Sequence, residues 1–69
     1  MASVDDVLKL MAEVNSAIMK KLRDEGFSEN VKVAREYFID AVSALLDKKV
    51  DDAQYLLRKA MEVLHRGEW

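Results

Sequence analysis

Apolar residues recur every three or four positions in three successive segments of this 69-residue chain. This spacing places apolar side chains along one side of an α-helix, whereas the strict alternation of a half-buried strand is absent. We therefore predict an all-α protein with helices over about 4–25, 29–47 and 51–66. The predicted core positions are Val4, Val7, Met11, Val14, Ile18 and Leu22 in the first helix, Val31, Ala34, Phe38, Ala41 and Leu45 in the second, and Val50, Ala53, Leu57, Ala60 and Leu64 in the third.

Residues at the ends of the segments predict how the helices are connected. Ser3 and Ser28 can cap helix N-termini, and Gly26 and Gly67 can end helices in a left-handed conformation. The connections "DEGFS" and "DKKVD" are too short for crossovers, so sequential helices should be antiparallel neighbours. We expect one domain, an antiparallel up-down-up three-helix bundle. Apolar residues expected to widen the core-facing sides are Leu8, Leu10, Tyr37, Val42, Leu56 and Met61.

Composition narrows the class of protein. Hydrophobic residues make up 51% of the chain and charged residues 35%, which excludes a disordered polar chain. No apolar run approaches the roughly 18 residues of a membrane span. Acidic residues precede the first lysine, whereas a secretory signal begins with a positively charged segment. We therefore expect a cytoplasmic protein that is not associated with membranes, and its many charges without proline are also typical of thermophilic proteins.

Residues 34–67 resemble a single tetratricopeptide-type helical hairpin. Tyr37 stands where that family has a large aromatic residue, and Ala53, Leu57 and Ala60 follow its small-large-small pattern. Departures occur at Asp40, Ala44 and His65, where the family has leucine, an aromatic residue and proline. No second copy of the pattern lies 34 residues upstream. The chain is also too short for the three repeats that a solenoid needs, so we expect a self-contained bundle instead.

Catalytic and metal-binding patterns are weak. Glu62 and His65 have the Glu-x-x-His spacing of di-iron bundles, but such sites need a second motif and this chain has one histidine. A histidine at a helix C-terminus interacts favourably with the helix dipole, which accounts for His65. The chain has no cysteine, and both glycines are expected at helix ends rather than in a phosphate-binding loop. We expect no enzyme activity, no metal and no cofactor.

Nucleic-acid binding is the alternative function. Many small three-helix proteins bind DNA, but the net charge here is −2. The basic residues should also lie at opposite ends of the bundle, which does not favour one DNA-binding surface. We rank this function second. The residues that would carry it are Lys20, Lys21 and Arg23 at the end of the first helix, and Lys48 and Lys49 in the second connection.

Several apolar residues lie off the core positions and favour a protein partner or self-association. Ile39 and Leu46 are seven residues apart and form a second stripe on the second helix. Tyr55 lies among charged residues, and Trp69 follows the last glycine. Tyrosine and tryptophan are common at interfaces because they combine a large apolar surface with a polar group. We therefore predict a partner-binding patch that includes Ile39, Leu46, Tyr55 and Trp69.

Overall fold

The computed structural model describes residues 2–66 and contains three helices: α1 Val4–Glu25, α2 Glu29–Leu46 and α3 Val50–Arg66. The helices pack side by side in up-down-up order, which confirms the predicted all-α antiparallel three-helix bundle. No strand occurs within residues 2–66. The Cα atoms extend over 33 × 18 × 16 Å, so the bundle is about twice as long as it is wide. Gly67 and Trp69 lie outside the described residues.

Both predicted serine caps are confirmed. The Ser3 hydroxyl accepts a hydrogen bond from the backbone N–H of Asp6 at 3.1 Å, and the Ser28 hydroxyl accepts one from Val31 at 3.3 Å. Each bond satisfies one of the backbone N–H groups that have no partner within the first turn. Polar residues in the sequence therefore fix where α1 and α2 begin.

The turn between α2 and α3 explains why these helices differ by one residue from the predicted ranges. Lys48 adopts φ 64°, a left-handed conformation. The Lys49 N–H donates to the Ala44 carbonyl at 2.8 Å, and the Lys48 N–H donates to that of Leu45 at 3.0 Å. This pair of bonds is the Schellman motif, which usually has glycine where Lys48 stands. The motif makes Asp47 the C-cap of α2 and lets α3 begin at Val50.

Gly26 ends α1 with φ 75° and ψ −165°, a combination that essentially only glycine adopts without strain. We expect Gly26→Ala to lower the free energy of unfolding by about 1 kcal/mol, measured by urea denaturation. A Cβ at this position would meet no atom within 4 Å, so the loss would arise from the backbone alone. Lys48→Gly is the control, because it introduces glycine at a left-handed position. This variant should be at least as stable as the wild type. Equal stability of Gly26→Ala and the wild type would contradict this assignment.

The core consists of the predicted positions, with alanines where the helices approach. Ala34 and Ala41 of α2 and Ala53 and Ala60 of α3 are fully buried, and α2 packs more extensively against α3 than either does against α1. Small side chains allow two helix backbones to come close, while larger residues fill the centre of the bundle. The larger buried residues are Val7, Val14, Ile18, Val31, Leu57 and Leu64.

Helix α1 departs from the predicted packing at two positions. Val4, predicted as a core residue, is half exposed. Leu8, expected to widen the core-facing side, is 48% exposed and does not pack against the core. Both lie on the side of α1 that faces α2, and α1 packs least extensively against α2. Because the three pairs of helices pack to different extents, the side of the bundle between α1 and α2 is left open.

Candidate interaction surface

Seven large apolar side chains are exposed within residues 2–66. Leu46 is the most exposed of them, at 79%, followed by Tyr55 at 61%. Isolated exposed apolar residues are normal on a protein surface, so their arrangement matters more than their number. The others are Val4, Leu8, Met19, Phe27 and Ile39.

A shallow cleft shows which flank of α1 faces α3. It is lined by Ala17, Lys20 and Asp24 of α1 together with Leu64 and His65 of α3. Successive residues of an α-helix are rotated by about 100°, so Leu8 and Met19 lie about 160–180° around the helix from Ala17. In a three-helix bundle the flank opposite α3 faces α2. Leu8 and Met19 therefore border the groove between α1 and α2.

Three apolar triplets have the same arrangement: Ala17–Ile18–Met19 in α1, and Tyr37–Phe38–Ile39 and Ala44–Leu45–Leu46 in α2. The middle residue of each packs in or against the core, and the first is half-buried. The third is exposed and is rotated about 100° further around its helix. Two neighbouring antiparallel helices run in opposite directions. The same 100° rotation from the core position therefore turns a side chain of α1 toward α2 and a side chain of α2 toward α1. Met19, Ile39 and Leu46 therefore lie along that groove.

Phe27 extends this apolar strip to the connection between α1 and α2. The Arg35 guanidinium carbon lies 6.0 Å from the centroid of the Phe27 ring, within the range of a cation–π interaction. Arg35 is four residues before Ile39 on the same side of α2. Six of the seven exposed apolar residues thus line one long side of the bundle. We call this side the α1/α2 face, consisting of Val4, Leu8, Met19, Phe27, Ile39 and Leu46.

Charges on the α1/α2 face are unevenly distributed along its length. Arg23, Lys32 and Arg35 are exposed at the end where α1 finishes and α2 begins. Asp5 is exposed near the opposite end of α1. Asp5 and Arg23 are 18 residues apart, which is five full helical turns, so they project from the same side of α1. One end of the face is therefore basic, and Asp5 adds negative charge at the other end.

Tyr55 does not share a surface with Ile39 and Leu46. It precedes the fully buried Leu57 by two residues, and helical rotation places it on the outer side of α3, away from the core. The Lys59 ammonium lies 5.7 Å from the centroid of its ring. Of the four predicted partner residues, the structure brings Ile39 and Leu46 together and separates Tyr55 from them. Trp69 lies outside the described residues.

The basic residues predicted for nucleic-acid binding lie at the two ends of the bundle. Lys20, Lys21 and Arg23 are near the end of α1, and the Lys21 ammonium pairs with the Glu25 carboxylate at 3.0 Å. Lys48 and Lys49 line a shallow depression at the other end, next to Asp51 and Asp52. The structure does not bring the two groups together, and acidic side chains accompany each of them.

Among residues 2–66, Glu62 and His65 do not form part of a larger set of metal ligands. The Glu62 carboxylate accepts from the Arg66 guanidinium at 2.7 Å, and the Lys59 ammonium lies 3.8 Å from it. His65 is exposed in the last turn of α3. Within residues 2–66, no three histidine, cysteine or acidic side chains are grouped so that they could hold a metal ion.

The part of the α1/α2 face contributed by Leu8, Met19 and Phe27 was not predicted from the sequence. The sequence signal that indicates Met19 is the apolar triplet, in which an additional apolar residue follows a core residue. Leu8 and Phe27 belong to no such triplet. Within the described helices, none is long and apolar enough to cross a membrane. Comparison of the chain with protein-family models, curated proteins and solved structures found no match.

Proposed function

We propose that this protein is a small, cytoplasmic, non-enzymatic interaction module that binds another polypeptide through the α1/α2 face. The observation that supports the proposal is the concentration of six of the seven exposed large apolar residues on this one side. Burying apolar surface provides most of the free energy of protein association. An apolar strip about four helical turns long is therefore the part of the described surface best suited to bind a partner.

The bundle itself also favours this use of the surface. A domain of this size buries only a small core, so it gains proportionally more from covering an exposed apolar side than a large domain does. The open side lies between the two helices that pack least extensively against each other. A partner in this groove would contact both helices and hold α1 more firmly against the rest of the bundle.

Nucleic-acid binding remains the second candidate but has less support. Duplex DNA is bound mainly by a surface that presents several lysine and arginine side chains to successive phosphates. Here the basic residues at the end of α1 and those in the second connection are separated along the 33 Å length of the bundle. Their acidic neighbours further weaken the positive potential at each end.

Site-specific photocrosslinking in cells tests the proposed function. A photoreactive benzoyl-phenylalanine replaces Leu46, which is 79% exposed and therefore tolerates a bulkier side chain. The matched control carries the same group in place of Tyr55, another exposed position on a different side of the bundle. We expect irradiation to yield a defined covalent adduct with a polypeptide from position 46 and none from position 55. No adduct from position 46, or equal adducts from both positions, would contradict the proposal.

A further inference from the structure

We infer that the α1/α2 face binds a second copy of this chain, with α1 antiparallel to the partner's α1 and α2 antiparallel to the partner's α2. The inference rests on the proposed function, because it names the polypeptide that this face binds. A two-fold axis perpendicular to the helices and parallel to the face produces this arrangement. Such an interface is isologous, which means that both copies contribute the same surface. If one residue contacts a second residue across the interface, the reverse contact occurs as well.

The charges on the face select this orientation. A two-fold axis parallel to the helices would place the basic ends of the two copies together, with Arg23 of one copy near Lys32 and Arg35 of the other. The perpendicular axis instead places the basic end of each copy over the Asp5 end of the other. Asp5 and Arg23 lie nine residues to either side of Val14, which is near the middle of α1. Each Asp5 carboxylate would therefore lie opposite the partner's Arg23.

Three of the six apolar residues match in the same arrangement. Helices rise by about 1.5 Å per residue, so Leu8 near one end of α1 lies opposite Met19 of the second copy. Ile39 is near the middle of α2 and would lie beside its own counterpart at the two-fold axis. Leu8, Met19 and Ile39 thus meet apolar side chains of the second copy, and Asp5 meets Arg23. Leu46, seven residues after Ile39, would lie opposite Lys32 of the second copy.

The side of the bundle that carries the face is close in size to one partner's share of a standard dimer interface. One long side of the bundle spans 33 × 18 Å between Cα atoms. Its flat projection is about 600 Å², and the accessible surface of side chains exceeds their projection, so the buried area approaches the roughly 800 Å² per partner of a standard interface. The full accessible surface of the described protein is 4828 Å², so the dimer would cover about one sixth of it.

Sedimentation equilibrium of the full chain over a concentration series tests this inference. The expected result is a rise from the 7.9 kDa monomer mass to twice that mass. Ile39→Glu should weaken the dimer by at least roughly tenfold, because the two introduced carboxylates would meet at the axis. Tyr55→Glu, which changes an exposed aromatic residue on another side, should leave the dimer intact. Both variants should retain the helical circular dichroism of the wild type.

A charge-reversal pair tests the orientation independently of the apolar contacts. Arg23→Glu should weaken the dimer several-fold, because it brings two carboxylates together at each end. Adding Asp5→Lys should restore the affinity, since the pair would then be reversed rather than removed. Failure of this rescue would overturn the antiparallel orientation.

The same measurements separate the inference from the proposed function. A chain that remains a monomer up to about 1 mM would overturn the second copy as the occupant. In that case, a crosslinked adduct with a different protein from position 46 would still support the interaction module. A monomer without any adduct would contradict both. A dimer that Tyr55→Glu dissociates and Ile39→Glu does not would overturn the α1/α2 face as the interface.

Discussion

Replacing Leu57 with glutamate should unfold the protein at room temperature. Leu57 is fully buried in α3 and is among the largest side chains of the core. The substitution removes its apolar contacts and places an unpaired carboxylate among apolar neighbours, which together cost several kcal/mol. A domain of 69 residues has a total stability of roughly 3–10 kcal/mol, so one such change is comparable with the whole. Far-UV circular dichroism should show loss of most of the helical signal.

The matched control for this prediction is Tyr55→Glu, two residues earlier in the same helix. Tyr55 is 61% exposed, and its introduced carboxylate would stay in water. The main loss would be the contact of its ring with the Lys59 ammonium, which is worth about 0.5–1 kcal/mol at an exposed site. If both variants were unfolded to the same extent, the assignment of the core-facing side of α3 would be wrong.

Ala60→Leu should destabilise the bundle by about 1–3 kcal/mol through overpacking. Ala60 and Ala41 are fully buried in the pair of helices that pack most extensively. A leucine has three more carbon atoms than the space accommodates, so α2 and α3 would have to move apart or adopt strained rotamers. We expect Ala41→Leu to have an effect of similar size, measured for both variants by chemical denaturation.

Arg58→Leu is the control for overpacking, because Arg58 is exposed on α3, which does not contribute to the α1/α2 face, and leucine is about as good a helix former as arginine. Its stability should stay within about 0.5 kcal/mol of the wild type. If Ala60→Leu and Ala41→Leu were as stable as the wild type, these alanines would not lie where the helices approach each other.

Much of the fold follows from the sequence because helical periodicity and capping are local properties. All fully buried positions of α2 and α3 are among those predicted, since the 3–4 spacing of Ala53, Leu57, Ala60 and Leu64 determines which side of α3 is buried. The predicted core residues Phe38, Leu45 and Val50 are partly buried against this core. The caps at Ser3 and Ser28 were confirmed for the same reason. The exact turn at Lys48 was not predicted, because a lysine in the left-handed conformation gives no sequence signal.

The open side of the bundle could not be predicted in the same way. Periodicity shows that Leu8 is 100° from the centre of the apolar side of α1, but not whether a neighbouring helix covers it. That depends on which flank of α1 faces α3, and both arrangements of an up-down-up bundle are compatible with the same spacing. Tyr55 was grouped with Ile39 and Leu46 for this reason, although α3 presents it on a different side. The partner-binding role of all three residues remains a prediction.

Hydroxyl-radical footprinting of the wild-type protein tests most directly whether the α1/α2 face binds a polypeptide. Methionine and aromatic side chains react readily, so Met19 and Phe27 report on the face and Tyr55 serves as an internal reference on another side. As the protein concentration rises through the range in which the dimer forms, oxidation of Met19 and Phe27 should decrease, and oxidation of Tyr55 should stay constant. Protection of Tyr55 with unchanged oxidation of Met19 and Phe27 would contradict the assignment of this face as the binding surface.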